Sequence, residues 1–172
     1  MRTFFIGLIA LLFASCGEDK PAPKTQLTKQ QMNDLSVQMN TWDSDRQRDE
    51  IEQYIRRRNW DMKLTPSGIY WMTLKEGKGD SARTGQIASV SYDIYLLDGT
   101  QCYSSDSTGP RDVNIGEDYV ESGLHEALQM MKAGEQKRFI LPSHLAHGLT
   151  GDQDKIPPRS SVVYEVELHS IR

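Results

Sequence analysis

The residues best equipped for chemistry lie close together near the end of the chain. Residues 143 to 148 read SHLAHG, and GDQD follows at 151 to 154. Two histidines three apart could share a metal on one helical turn, or one could act as the base of a hydrolase, but the same spacing is common in ordinary loops. His125 adds a third imidazole, yet His125, His144 and His147 together show no recognisable metal-ligand spacing. GDQD lacks the carboxylate spacing of a calcium loop and reads as a solvated turn. No metal and no cofactor is expected. Cys102 reads as a small, semi-apolar strand residue rather than a nucleophile.

The 172 residues suffice for one domain with an appendage and can bury a self-sufficient core. Twenty basic residues against 24 acidic ones give a net charge of -4. Nucleic acid is therefore not an expected partner, because phosphate binding needs a basic stripe and the one basic run is Arg56 to Arg58. Residues 1 to 15 combine Arg2, an apolar stretch from Phe4 to Phe13, and small Ala14 and Ser15 ahead of Cys16, the pattern of a signal peptide. The ending LFASC resembles a bacterial lipobox, which implies lipid on Cys16 and a chain anchored in the cell envelope facing the periplasm. Residues 16 to 26, polar and with two prolines, read as the tether. With Cys16 lipidated, Cys102 has no partner in the chain.

The remainder divides at about residue 62. Residues 27 to 60 contain neither proline nor glycine and read as helix, in two pieces broken near NTWDSD. Ser44 is the expected N-cap of the second piece, with Gln47 completing a capping box. Ile51, Tyr54 and Ile55 form its apolar stripe, and Arg56 to Arg58 lie at the negative end of the helix dipole. This segment is expected either to dimerise the chain or to pack on the following domain. From Pro66 the period becomes alternating. IASVSYDIYLL sets Val90, Tyr92, Ile94 and Leu96 on one face, Asp98-Gly99 is a hairpin turn, and TQCYSS and RDVNIG follow as short strands. VESGLHEALQMMKAG is a helix with Leu124, Ala127, Leu128 and Met131 at helical spacing and Gly134 as its expected cap. EQKRFILP and SVVYEVELHSI are strands, the last with Val162, Tyr164, Val166 and Leu168 on one face. The expected fold is α+β, an antiparallel sheet of about five strands wrapped on one short helix over residues 63 to 172, preceded by the helical segment 27 to 62.

The succession VSYDIYLLDGT, GLHEALQMMKAGE, LPSHLAHG and IPPRSSVVYEVEL resembles the FKBP-type peptidyl-prolyl isomerases over residues 67 to 172. The lipobox, tether and leading helical segment are similar to the lipoprotein members of that family, of the gliding-motility-associated type. The resemblance implies an isomerase that assists folding of exported proteins and binds proline-containing polypeptides. Its further partners would be the membrane through the lipid, and a homodimer or an envelope complex. A second implication is a non-catalytic chaperone or binding subunit that retains the pocket.

A prolyl bond prefers trans by only about 0.5–1 kcal/mol but crosses a barrier of roughly 18–20 kcal/mol as the amide loses resonance. A catalyst therefore needs no acid, base or nucleophile, only tighter binding of the twisted amide than of the planar one. By resemblance, Tyr92, Val120, Ile156 and Tyr164 line the proline pocket and Leu124 forms its floor, where many members have tryptophan. Glu121 offers a backbone N–H to substrate. Cys102 and Tyr103 replace a Phe-Asp pair and Arg111 replaces a further aromatic. Tyr103 restores the lost aromatic only if its strand shifts by one residue. His147 takes the place of a tyrosine that donates to the substrate carbonyl, with His144 more exposed. Tyr92, His147 and Tyr164 are thus the expected catalytic residues.

Overall fold

The computed structural model describes residues 27–172. The signal peptide, Cys16 and the tether lie outside the described residues.

Helix α1 runs unbroken from Lys29 to Arg58, which at 1.5 Å per residue is about 45 Å. The expected break near NTWDSD does not occur, and Ser44 caps nothing. The capping box belongs to Thr28 and Gln31: the Gln31 N–H donates to Thr28 Oγ1 at 3.2 Å, and the Thr28 N–H donates to Gln31 Oε1 at 2.9 Å. Mid-helix, Gln47 donates to Asp43 Oδ2 at 2.8 Å and Arg46 pairs with Asp43 at 2.6 Å, so these polar residues sustain the helix instead of ending it. Asn59 closes it in the left-handed conformation at φ 52°. Arg58 lies over the Tyr54 ring at 3.5 Å, which accounts for the basic run as a helix terminus.

The strands are β1 (Lys63–Leu64), β2 (Tyr70–Lys75), β3 (Lys78–Ser81), β4 (Ile87–Leu96), β5 (Gln101–Ser104), β6 (Arg111–Asn114), β7 (Lys132–Ala133), β8 (Glu135–Leu141) and β9 (Val162–Ile171), with helix α2 (Ser122–Gln129) between β6 and β7. The main sheet is antiparallel in the order β1-β2-β8-β9-β4-β5, with β6 also pairing with β4, so two short strands extend the expected five to seven. Strands β3 and β7 form a separate pair. Gly134 does not cap α2, which ends at Gln129; it stands between β7 and β8, and its N–H donates to Leu168 O at 2.7 Å.

Both faces of the sheet are covered. On one, α2 buries Leu124, Ala127 and Leu128 against Val90, Phe139, Leu141, Tyr164, Val166 and Leu168. On the other, Ile51 and Tyr54 of α1 pack on Tyr70, Ile140 and Val163. This division explains the unbroken apolar runs Phe139-Ile140-Leu141 and Val162-Val163-Tyr164: alternate residues enter different cores. Only the second half of α1 takes part. Met32, Leu35, Val37, Met39 and Trp42 in the first half remain exposed among the described residues.

Candidate functional site

Between the sheet and α2 the structure leaves a cavity of about 280 Å3. Val90, Tyr92 and Ile94 of β4, Val113 of β6, Tyr164 of β9 and Leu124 of α2 supply its apolar lining. Tyr103, Arg111, Glu121, His147 and Asp152 stand at its polar side. An apolar chamber with a few convergent polar groups is the usual form of a small-ligand site.

The depth of the cavity depends on α2 lying close to the turn after β8. A Cβ on Gly123 would come within 2.6 Å of Leu145 O, so only glycine permits the approach. The segment from Ser143 to Leu145 forms one 3-10 turn. It carries His147 inward, whereas His144 is exposed.

Glu121 is the N-cap residue of α2, and its carboxylate organises the mouth of the cavity. Its Oε1 accepts a hydrogen bond from Tyr164 OH at 2.9 Å. His147 Nε2 lies 2.7 Å from the same oxygen without hydrogen-bond alignment, an ion-pair contact when the imidazole is protonated. The expected donor to substrate is thus held beside a carboxylate of the chain. The Glu121 N–H donates to no other group among the described residues, which leaves it available to a bound carbonyl. Tyr164 is 2% exposed, and burial, reinforced by Glu121, pushes its phenol well above the ordinary tyrosine range.

Tyr103 reaches the cavity through a β-bulge. Ile94 pairs with Tyr103 but Tyr95 pairs with Gln101, so Cys102 is the extra residue and the period slips by one. The slip is local to Cys102, and it leaves the Tyr103 ring at the cavity with its hydroxyl directed to Asp152. Cys102 turns into the core, 2% exposed, with its Sγ 3.6 Å from Lys155 O. Burial raises its thiol pKa, which suits packing and not nucleophilic attack.

Asp152 corrects the reading of GDQD as a solvated turn. Its carboxylate accepts from Tyr103 OH, and its Oδ1 also accepts from the N–H groups of Asp154 at 2.9 Å and Ile156 at 2.8 Å. Burial opposes the charge, but these hydrogen bonds outweigh it and hold the pKa at about 2. The depressed pKa makes Asp152 stabilising above the ordinary carboxylate value of 3.8, and that contribution is lost as pH falls from 3.8 through about 2. Urea midpoints of the wild type and Asp152→Asn, measured across that window, are expected to converge toward low pH; a constant difference would contradict the assignment. The turn itself depends on Gly151, where a Cβ would meet Ile156 O at 2.2 Å.

Of the residues expected from sequence, Tyr92, Tyr103, Glu121, Leu124, His147 and Tyr164 come together around the cavity. Val120 and Ile156 pack into the adjoining core, and Cys102 lies behind the wall. Val90, Ile94, Val113 and Asp152 were not anticipated as lining. The first two share the alternating face of Tyr92, a signal already present in the sequence; the third-strand contact of Val113 and the reach of Asp152 depend on tertiary pairing. His125 is committed elsewhere: its Nδ1 accepts from the Gly116 N–H at 2.8 Å and its Nε2 lies 3.0 Å from Asp118 O. Among the described residues no cluster of three or more His, Cys, Asp or Glu side chains could hold a metal.

Comparison with known proteins places this geometry in a family. The model of the FKBP-type peptidyl-prolyl cis-trans isomerase family matches residues 78–169. A probable FKBP-type peptidyl-prolyl cis-trans isomerase FkpA from Neisseria meningitidis serogroup B is 34% identical over 110 residues, covering 64% of this chain and 40% of that protein. The crystal structure of a peptidyl-prolyl cis-trans isomerase from Pseudomonas syringae pv. tomato aligns with TM-score 0.59 and 33% identity, over 64% of this chain and 80% of that one. FkpA from Escherichia coli shares the fold, with TM-score 0.65 and 24% identity over 87% of this chain and 75% of that one. The Neisseria relative is thus matched over well under half of its own length.

Proposed function

The chain belongs to the FKBP-type peptidyl-prolyl cis-trans isomerases, and on that premise we propose that its cavity isomerises Xaa-Pro bonds in polypeptides at the cell envelope. The observation that carries the proposal is the aromatic-walled apolar chamber of Tyr92, Tyr164 and Leu124 with the unengaged Glu121 N–H at its mouth. A proline ring buried there leaves its amide in a dry setting, where the twisted and less conjugated bond loses less hydration than the planar one. A donor at the mouth holds the flanking carbonyl while the bond turns. An acceleration of about ten-thousandfold requires roughly 5.4 kcal/mol of such differential binding.

His147 completes the proposal. On substrate entry its Nε2 leaves Glu121 and donates to the substrate carbonyl, in place of the family's tyrosine. A protease-coupled assay on Xaa-Pro peptides tests both steps. The wild type is expected to accelerate isomerisation and His147→Ala to lower kcat/KM; an unchanged rate in His147→Ala would remove the imidazole from the mechanism.

The second reading, a binding or chaperone subunit without catalysis, is favoured by one observation: the Glu121 carboxylate engages Tyr164 OH and sits against His147 at the mouth of the cavity. Binding of proline peptides without any acceleration would establish that reading in place of the first.

The envelope setting rests on residues 1 to 16, where an apolar leader ends in LFASC. Lipid on Cys16 anchors the chain through the tether, as in lipoproteins of the gliding-motility-associated type. Cys16→Ser is expected to move the protein from the membrane to the soluble fraction, and retention in the membrane would contradict the anchor. The exposed apolar half of α1 is suited to pairing with a second copy or an envelope partner, which light scattering with and without residues 27 to 60 would distinguish.

A further inference from the structure

Gln47 is a buried polar group on a helix whose other polar side chains are mostly exposed. It lies on α1, outside the matched residues 78–169, yet it is only 3% exposed. Its Oε1 accepts from the Ser143 N–H at 2.8 Å and lies 3.3 Å from Ser161 Oγ, which donates to it. Its Nε2 is engaged by Asp43. Asp43 is itself 6% exposed, is held below the ordinary carboxylate range chiefly by Arg46, and lies 3.7 Å from the Arg159 guanidinium.

The two donors mark the two ends of one loop. Ser143 lies two residues past the end of β8, and Ser161 immediately precedes β9. Everything between them, including His147 and Asp152, depends for its position on how those ends are held. The loop is also closed on itself by the Arg159 N–H donating to Gly148 O at 2.9 Å and the Gly148 N–H donating to Ser143 O at 2.7 Å. A single acceptor atom of α1 therefore joins both ends of the loop that brings the polar groups to the cavity. A buried amide satisfied on both its donor and acceptor sides fixes position as well as stabilising, because moving it leaves several buried groups unpaired.

We propose that Gln47 is a positioning residue for the cavity: through it, α1 sets the place of the His147 and Asp152 loop, so the site is completed by an element outside the isomerase domain proper. This rests on the reading of the cavity as an isomerase site. It also gives the free first half of α1 a route to the site, since whatever engages that half bears on the same helix.

The test uses the purified full chain with two independent readouts, kcat/KM on an Xaa-Pro peptide and the His147 Cε1–H resonance. Both are recorded where circular dichroism shows the variants folded. Gln47→Leu is expected to lower kcat/KM roughly ten- to a hundredfold, the scale of a misplaced site group, and to shift the His147 resonance. The reversed pair Asp43→Asn with Gln47→Glu keeps an acceptor for Ser143 and Ser161 and a donor at position 43, and is expected to restore both. A folded Gln47→Leu with wild-type rate and resonance overturns the proposal. If Gln47→Leu does not fold, the reversed pair decides: wild-type values uphold the clamp, and a folded pair with a displaced His147 resonance overturns it. An inactive wild type would defeat the isomerase reading alone, and the resonance would still judge the clamp.

Discussion

Tyr164→Ala is expected to destabilise the protein by about 3–5 kcal/mol, the cost of truncating a large aromatic in a packed core. The ring is 2% exposed on the central strand β9, where neighbours on β4 and β8 cannot close over the void. The same change removes the wall of the cavity and the hydroxyl that engages Glu121 at 2.9 Å. Domains of this size are stable by only about 5–15 kcal/mol, so the loss would be plain in a urea melt. Tyr164→Phe separates the two roles. It keeps the wall, and is expected to retain the fold and most of the activity if the ring acts by apolar contact. A loss as large as that of the alanine variant would show that the hydroxyl, not the ring, is what matters.

The second large effect is expected at Ile51→Ala, at about 2–5 kcal/mol. Ile51 is fully buried between α1 and the outer face of the sheet, packed with Tyr54, Tyr70, Ile140 and Val163. Truncation loosens the helix where it meets the sheet, one turn beyond Gln47. Amide exchange is therefore expected to quicken in the second half of α1 more than in β4 or β9. Uniform quickening across the whole domain would mean that α1 and the sheet unfold as one unit, and unchanged stability would mean that α1 contributes little to the fold.

Both positions are announced by period, but their partners are not. Tyr164 lies in an alternating strand, and Tyr92 shares its partner strand β4, so the face they occupy follows from period alone. Ile51 and Tyr54 are equally regular. What period could not reveal was that Ile140 and Val163 face them, because a run such as Phe139-Ile140-Leu141 has no alternation to read. The continuity of α1 was hidden for a related reason. Ser44 and Gln47 make a plausible cap by spacing, but Gln47 is bonded to Ser143, 96 residues away, and such a partner is set only by the tertiary fold.

The site shows the same limit. Tyr92, Leu124 and Tyr164 were legible as lining through the family resemblance; period alone sets only their inward faces, which plain core packing would fill equally well. Tyr103 needed a bulge at Cys102, and a one-residue slip inside a four-residue strand leaves no periodic trace. Asp152 was concealed by its context, since a glycine-flanked acidic turn reads as solvated until its hydrogen bond from Tyr103 is seen. Two of the departures from the family pattern, at Tyr103 and His147, are thereby given structural settings: one is carried inward by the bulge and tied to Asp152, the other is held against Glu121.

The central claim is that this cavity turns a prolyl bond by binding its twisted form. Two-dimensional exchange spectroscopy on a short Xaa-Pro peptide tests it without a coupling protease. With protein present in small amount, the cis and trans resonances are expected to exchange on the sub-second scale, against tens of seconds or more unaided. Cis and trans peaks that remain unconnected with folded wild-type protein present would contradict the account.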